Sequence, residues 1–195
     1  MNTQTGHPHF IVLASASPRR RELLHGAGIR FVCHPADVDE ALRHEEEPAA
    51  AVQRLARAKA AAVAGAFPHE IVLGADTLVV LDGQALGKPR DLDDARRMFR
   101  MLSGRTHQVM TGVSLLRLRS PHEETWCCVT DVTFRELSAM AVEEYLDKVH
   151  VLDKAGAYAI QECGEMIVSG ICGLRSNVVG LPVEEVAARL GRNQS

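Results

Sequence analysis

The amino-acid sequence predicts an α/β fold built around a long mixed β-sheet with flanking helices. Segments with the apolar spacing of amphipathic helices alternate along the chain with short apolar runs that are typical of buried strands. Two long strand-like segments, at 106–118 and 124–137, follow each other directly and indicate an antiparallel pair. Because strands joined through helices favour parallel neighbours, we expect both strand directions in one sheet.

The first part of the chain predicts a strand, a helix and an extended segment. A buried strand is expected at 10–16. Ser17 followed by Pro18 is typical of a helix start, with serine as the N-cap and proline at the first helical position. This helix is expected to end near His25, before two closely spaced glycines. An extended segment is predicted at 29–38.

The middle of the chain predicts a long helix, a strand and a further helix. The alanine-rich segment 48–65 carries apolar residues at helical spacing. The segment 70–81 is an apolar strand that ends in an Asp-Gly turn. Asp91 is the expected N-cap of the next helix, and Gly104 follows the end of that helix.

After the antiparallel pair, Ser138 is expected to cap a helix that extends to about Lys148. The rest of the chain is expected to contain a loop, two short strands and a final helix, in this order: 150–156, near 157–161, near 165–171, and from Pro182.

The composition is ordinary for a globular protein and limits the classes of partner. With 195 residues, the chain fits one domain or two lobes that share a sheet. Its net charge of -3 predicts no nucleic-acid partner and no membrane partner through bulk electrostatics. The polar start of the chain is unlike a signal peptide, and five cysteines without a CxxC pair suit a reducing compartment. We therefore expect a cytoplasmic protein.

The turn between the first strand and the first helix carries an unusual charge pattern. Arg19, Arg20 and Arg21 occupy the first turn of a helix, where the helix dipole disfavours cations by roughly 0.3–1 kcal/mol each. A bound phosphate would remove this conflict, because serine hydroxyls, backbone N–H groups and guanidinium groups all bind phosphate oxygens. Ser15 and Ser17 precede the turn. The alternative is a solvated basic surface, and Arg21 is the arginine we expect to be solvated.

Lys59 lies on the apolar face of the predicted alanine-rich helix, close to Leu55 on the helical wheel. A lysine there has two interpretations. Its stem covers apolar surface while its ammonium reaches water, or its ammonium extends into a cleft to meet a carboxylate or a phosphate.

Asp76 is the one charged residue in the apolar run IVLGADTLVVL (71–81), and a carboxylate there needs a partner. Gly74 before it permits the close approach of another chain segment or a ligand. Glu40 and Lys88 could complete a polar cluster. Carboxylates combined with lysines and arginines suggest Mg²⁺-assisted phosphoryl chemistry. The alternative is a structural salt bridge between Asp76 and a lysine.

A series of motifs, in order over nearly the whole chain, resembles the Maf family of nucleotide pyrophosphatases. The motifs are LASASPRRRELL (13–24), RLARAKA (54–60), GADT (74–77), GKPRD (87–91), LSGRTHQVMTGV (102–113), DKAGAYAIQ (153–161) and SNVVGLP (176–182).

The resemblance implies a fold like that of the inosine-triphosphate pyrophosphatases, with two lobes around a cleft. It further implies a homodimer, a nucleoside triphosphate substrate and a divalent metal cation (Mg, Mn or Co). The chain is then expected to be a single Maf domain over 1–195, with an ordered core at about 10–190 and tails at 1–9 and 191–195.

The resemblance also assigns expected roles to residues of the motifs. Asp76 matches the proton acceptor, and Asp76 with Glu40 is expected to hold the metal. Glu40, Lys59 and Lys88 match the polar active-site cluster. The remaining expected site residues bind the substrate: Ser15, Ser17, Arg19, Arg20, Thr77 and Gln161. Among these, Arg20, Thr77 and Gln161 match positions tied to nucleotide choice.

The ADT and AYAIQ forms resemble the branch of the family that acts on dTTP and UTP. Three positions depart from the common pattern of that branch: Ala159 stands where glycine is common, Ile167 where phenylalanine is frequent, and Arg175 where an aromatic residue is frequent. Arg175 is expected to matter most, if it lies near the base or sugar. The alternatives are a pyrophosphatase for 7-methyl-GTP or damaged nucleotides, and a regulator of cell division that binds nucleotides without hydrolysing them.

Overall fold

The computed structural model describes residues 10–192. The predicted tail at 1–9 therefore lies outside the described residues, as do positions 193–195. The predicted C-terminal tail at 191–195 begins too early, because the last helix continues to Arg192. The prediction of a single domain over the whole chain stays a prediction.

Within the described residues, seven strands form one sheet. They are β1 (Ile11–Leu13), β2 (Phe31–Cys33), β3 (Ile71–Leu81), β4 (Gln84–Leu86), β5 (Thr106–Arg117), β6 (His122–Phe134) and β7 (Val168–Cys172). The order across the sheet is β2-β1-β3-β5-β6-β7, and β4 pairs with β3. The pairings of β1 with β2 and β3 are parallel, and the others are antiparallel. The predicted α/β fold with a mixed sheet is confirmed.

The helices that flank the sheet are α1 (Pro18–Gly26), α2 (Pro48–Ala64), α3 (Leu92–Leu102), α4 (Ala139–Lys148), α5 (Gly164–Ile167), α6 (Arg175–Val179) and α7 (Val183–Arg192). The three predicted N-caps, Ser17, Asp91 and Ser138, are confirmed, because each side chain accepts a hydrogen bond from the backbone N–H three residues later. No helix in the described part of the chain is long and apolar enough to cross a membrane.

Buried apolar side chains form separate clusters at the two ends of the long strands. One cluster includes Val79 on β3 and Phe99 on α3. Another includes Leu73 on β3 and Val186 on α7. These clusters agree with the two predicted lobes, and the middle of β3 lies between them.

The centre of β3 has an open edge. β1 pairs with β3 at residues 71–73 and β4 pairs with it at 79–81, both on the edge opposite β5. Neither strand reaches residues 74–78. This gap in the sheet exposes one edge of β3 to a cleft at the positions of Asp76 and Thr77.

Two glycines allow α2 to lie unusually close to the sheet. A Cβ atom on Gly74 would lie 2.1 Å from the carbonyl oxygen of Ala56, and one on Gly112 would lie 2.1 Å from that of Val52. Only glycine fits at such distances. The predicted close approach at Gly74 is thus confirmed, and the approaching segment is α2, which carries Lys59.

Several predicted elements are corrected by the structure. The strand predicted near 157–161 is wrong, because the hydroxyl of Tyr145 bonds both the N–H and the carbonyl of Ala159 and so replaces a strand partner. Gly156 and Ala157 also have positive φ angles, of 69° and 62°, which a strand does not permit.

The boundaries of other elements also differ from the predictions. The strand predicted near 165–171 is partly wrong, since it begins only at Val168 after the short helix α5. The extended segment predicted at 29–38 contains only the three-residue strand β2, followed by irregular structure. The sequence did not predict β4 or α6.

Candidate active site

All ten predicted site residues line one cleft of about 590 Å³. The cleft lies at the open edge of β3, between the turn after β1, helix α2 and the segment 153–161. Its lining also includes five cationic side chains, Arg19, Arg20, Lys59, Lys88 and Lys154, against the three carboxylates of Glu40, Asp76 and Asp153. This excess of positive charge in a chain of net charge -3 suits an anionic ligand.

The turn between β1 and α1 is held by its two serines. The Ser15 hydroxyl accepts a hydrogen bond from the backbone N–H of Ser17 at 3.2 Å. The Ser17 hydroxyl caps α1 by accepting from the N–H of Arg20 at 3.5 Å. The turn therefore presents serine oxygens and the N-terminus of a helix to the cleft, which is a favourable arrangement for phosphate.

Arg20 turns away from solvent and joins three parts of the site. Its guanidinium donates to the carbonyl of Gly180 at 2.8 Å, to Ser15 Oγ at 3.1 Å and to Thr77 Oγ1 at 3.2 Å. Burial lowers the pKa of Arg20, and the charge of Asp76 opposes this effect. Arg20 thus ties the turn to the residue that follows Asp76, where the resemblance expects nucleotide choice to be made.

The other two arginines of the turn differ in their surroundings. Arg19 donates to Asp153 Oδ2 at 3.2 Å, and both residues line the cleft. Arg21 is exposed, as predicted for the solvated arginine. The interpretation of the turn as a wholly solvated basic surface is wrong, because Arg20 is 9% exposed.

Lys59 points into the cleft and not into water. The residue is 6% exposed, and its Nζ lies 2.6 Å from Asp76 Oδ1 and 2.6 Å from Glu40 Oε1. The interpretation in which its ammonium reaches solvent is therefore wrong. The close contact of α2 with the sheet at Gly74 delivers this lysine to the middle of β3.

Asp76 forms the salt bridge with a lysine that is the alternative to a catalytic role, and it also faces the cleft. Its Oδ1 accepts the hydrogen bond from Lys59. Its Oδ2 accepts no hydrogen bond from residues 10–192, so this oxygen is available to a water molecule in the cleft. A salt bridge and a catalytic role are compatible in this geometry, because they use different oxygens.

Glu40 and Lys88 complete the polar cluster from two loops. Burial opposes the ionisation of Glu40, but the hydrogen bond from Lys59 and the charges of Lys59, Lys88 and Arg20 outweigh it and lower the pKa of Glu40. Lys88 is exposed on the cleft, and no hydrogen bond or salt bridge to its ammonium is described within residues 10–192. Its ammonium is therefore available to a ligand.

The segment 153–161 forms another wall of the cleft and ends in the exposed Gln161. The sequence did not single out Lys154 in this wall. Lys154 is 6% exposed and pairs with Asp153 at 3.0 Å and Glu162 at 3.5 Å, and it also donates to the carbonyl of His150. The sequence feature that could have indicated Lys154 is the Asp-Lys pair at the start of the DKAGAYAIQ motif.

The three departures from the common family pattern lie at different places. Ala159 lines the cleft. Ile167 is fully buried in the core and does not reach the cleft. Arg175 is not among the cleft-lining residues, but its guanidinium donates to the carbonyl of Ile160 at 3.2 Å, next to Gln161. Arg175 therefore contacts the segment 153–161 without lining the cleft itself.

The two carboxylates of the cluster are the candidate ligands of a divalent cation. Glu40 and Asp76 each place an oxygen 2.6 Å from the Lys59 ammonium, so in this structure the point where the two carboxylates meet is filled by the lysine. Mg²⁺ usually takes one or two protein carboxylates and completes its shell with water and substrate phosphates. Among the described residues, no group of three or more His, Cys, Asp and Glu side chains could hold a metal ion.

Comparison with known proteins gives one consistent result. The family model described as Maf-like protein matches residues 10–193. The dTTP/UTP pyrophosphatase of Myxococcus xanthus (strain DK1622) is 52% identical over 183 residues, which are 94% of this chain and 92% of that protein. The dTTP/UTP pyrophosphatase of Moorella thermoacetica is 50% identical over 184 residues, 93% of this chain and 95% of that protein.

A third relative, the dTTP/UTP pyrophosphatase of Syntrophomonas wolfei, is 46% identical over 180 residues, which are 92% of this chain and 95% of that protein. Each of these relatives matches the chain over nearly its whole length, as does the family model. The chain therefore belongs to the Maf family.

Proposed function

We propose that the protein hydrolyses dTTP and UTP to the nucleoside monophosphate and pyrophosphate. The observation that carries this proposal is that Lys59, Asp76 and Glu40 form one cluster in the cleft that also contains the serine and arginine turn. The names of the relatives support the choice of dTTP and UTP as substrates.

In this proposal the triphosphate lies between the turn and the lysines. Ser15, Ser17 and Arg19 hold the leaving pyrophosphate, together with Lys59 and Lys88, whose ammonium groups stabilise the charge that develops on it. Because all of these groups except Lys88 already make hydrogen bonds within the protein, they are positioned before the substrate arrives. Positioning and electrostatic stabilisation then supply most of the rate acceleration.

Asp76 acts as the general base through its Oδ2. The water oxygen forms a bond to the α-phosphorus, the bond from this phosphorus to the bridging oxygen of the pyrophosphate breaks, and the water proton passes to Asp76. Lys59 holds the other carboxylate oxygen at 2.6 Å and so fixes the orientation of the base.

Glu40 and Asp76 are the residues that would hold a divalent cation (Mg, Mn or Co) together with the substrate phosphates. When bound, such a cation would neutralise phosphate charge and lower the pKa of water in its shell. The residues of the chain still supply the base, the orientation of the substrate and the binding of the leaving group.

In this proposal nucleotide choice depends on cleft residues that lie outside α2. Thr77 Oγ1 accepts from Arg20 and lies 3.0 Å from Thr111 Oγ1, so its hydroxyl is held in one place. Gln161 lies exposed on the wall formed by the segment 153–161, where its amide is free to contact a base. We assign these three residues, Arg20, Thr77 and Gln161, to the recognition of the nucleotide.

The test is pyrophosphate release from a panel of nucleotides, dTTP, UTP, CTP and 7-methyl-GTP, each with Mg²⁺ or Mn²⁺. Preferred turnover of dTTP and UTP supports the proposal. Preferred turnover of 7-methyl-GTP, or of modified nucleotides added to the panel, would replace it with one of the alternative substrates. Nucleotide binding without any release would instead indicate the non-hydrolysing regulator.

We also propose that the protein acts as a cytoplasmic homodimer with a single domain per subunit, as the resemblance to the family implies. Light scattering during size-exclusion chromatography measures the mass directly. A mass of one chain, 21.3 kDa, would contradict the homodimer.

A further inference from the structure

The segment 34–47 carries two cleft residues, Glu40 and Leu42, without any strand or helix of its own. Most of its side chains are exposed, and its apolar contacts are at its start, where His34 packs against Phe67 and Ala36 against a buried cluster. Glu40 nevertheless reaches Lys59 at 2.6 Å. Something outside the catalytic cluster must therefore hold the segment in place, because loops with few buried contacts open easily.

Arg54, on α2, makes that connection. Its Nε donates to Glu46 Oε1 at 2.7 Å, and its Nη2 donates to Glu46 Oε2 at 2.7 Å and to the carbonyl of Ala41 at 3.2 Å. The side chains of Arg54 and Glu46 are only 24% and 13% exposed. A bidentate pair of this kind is geometrically specific, and lysine cannot reproduce it.

The bonds from Arg54 to Ala41 and Glu46 form a clamp, and both of its contacts lie after Glu40 in the segment. Arg54 binds the backbone of Ala41, the residue after Glu40, and also binds Glu46 farther along the segment. Lys59, five residues later on the same helix, binds Glu40 itself. The hydrogen bonds from Arg54 lower the pKa of Glu46 to about 2, so this pair stays ionised at neutral pH.

We propose that Arg54 is a positioning residue for the reaction: it fixes the segment 34–47 to α2 so that Glu40 meets Lys59 in the cleft. This inference rests on the proposed function. Arg54 does not line the cleft, so its effect on turnover passes through Glu40.

The test compares Arg54→Met with Arg57→Met. Arg57 lies on the same helix and pairs with Glu123 on β6, away from the segment 34–47, so its replacement removes a salt bridge of α2 without touching the clamp. We expect Arg54→Met to lower kcat by about 10–100-fold, the usual effect of losing a residue that orients an active-site ligand. Arg57→Met is expected to keep the kcat of the unmodified protein.

A double-mutant cycle with Glu40→Gln distinguishes positioning from a general loss of structure. If Arg54 acts through Glu40, then Arg54→Met causes little further loss of kcat in the Glu40→Gln background. If Arg54→Met lowered kcat by the same factor in the Glu40→Gln background as in the unmodified protein, the proposal would be overturned. An Arg54→Met variant as active as Arg57→Met would also overturn it. Should Arg54→Met not fold, Glu46→Gln tests the same clamp and is expected to change kcat in the same direction.

Hydrogen exchange gives a readout that does not depend on turnover. Amides near Ala41 are expected to exchange at least tenfold faster in Arg54→Met than in Arg57→Met. Equal exchange rates in the two variants would overturn the proposed clamp. This comparison is valid even if the protein hydrolyses no nucleotide. Absence of pyrophosphate release from the unmodified protein, with faster exchange in Arg54→Met, would contradict the proposed function and leave the clamp standing.

Discussion

The ammonium of Lys59 lies 2.6 Å from Asp76 Oδ1, and both side chains are almost completely buried where β3 has no neighbour on one edge. A buried ion pair costs desolvation energy, which its mutual attraction does not always recover. The same lysine also binds Glu40, so one cation balances two carboxylates. We therefore interpret this ion pair as a means of orienting a base and not as a source of stability.

Asp76→Asn keeps the shape of the side chain but removes the base. We expect turnover to fall by about 10²–10⁴-fold, the usual contribution of a general base, while the nucleotide still binds. Steady-state kinetics and calorimetric titration with a nucleotide measure the two effects separately. Near-normal turnover would contradict the assignment of Asp76 as base.

Lys59→Met removes the cation and leaves two carboxylates close together. We expect the free energy of unfolding to fall by about 3–5 kcal/mol, because an uncompensated charge then remains buried. Urea unfolding measures the loss. The double variant with Asp76→Asn should recover part of it, and a double variant less stable than Lys59→Met would show that the charge is not the cause.

Gly74→Ala tests how α2 is placed against the sheet. The new Cβ would lie 2.1 Å from the carbonyl oxygen of Ala56, so α2 must move away, and we expect a loss of about 3 kcal/mol or more in the free energy of unfolding. Gly65→Ala is the control, since no atom lies within 4 Å of a Cβ at that position. Equal stability of the two variants would contradict this account of the close approach.

The burial of His107 leads us to expect that the free energy of unfolding depends on pH. Burial lowers the pKa of His107 to about 4, below the value of about 6.5 for an unfolded chain. The unfolded state therefore binds the proton first as the pH falls. Stability from this residue is complete above about pH 6.5, and about 3 kcal/mol is lost on acidification to about pH 4.

Urea unfolding at several pH values checks this prediction, with His107→Gln as the comparison. Gln offers a side-chain amide to Tyr158, whose hydroxyl lies 2.8 Å from His107 Nε2. The loss of stability between pH 6.5 and 4 should become smaller by the contribution of His107. An unchanged pH dependence in His107→Gln would mean that this histidine is not its source.

The sequence predicted best what depends on neighbouring residues. The N-caps Ser17, Asp91 and Ser138 follow from local hydrogen bonds and were correct. The segment near 157–161 was predicted wrongly, because its conformation depends on the distant hydroxyl of Tyr145. No local pattern reports such a contact.

For the candidate site, too, local features were predictable from the sequence and contacts between distant segments were not. The helical wheel placed Lys59 on the apolar face of α2, but that face is compatible with both interpretations of its ammonium. The distinction required the position of α2 against β3, which Gly74 and Gly112 determine through contacts across the fold. The sequence does not indicate that Lys154 is buried, because a lysine in a loop belongs to no periodic pattern.

Hydrolysis of dTTP in ¹⁸O-labelled water, followed by ³¹P NMR, tests the central claim most directly. The account predicts dTMP with one ¹⁸O on its phosphorus and unlabelled pyrophosphate, because water attacks the α-phosphorus. Label in the pyrophosphate, or release of dTDP and inorganic phosphate, would contradict it.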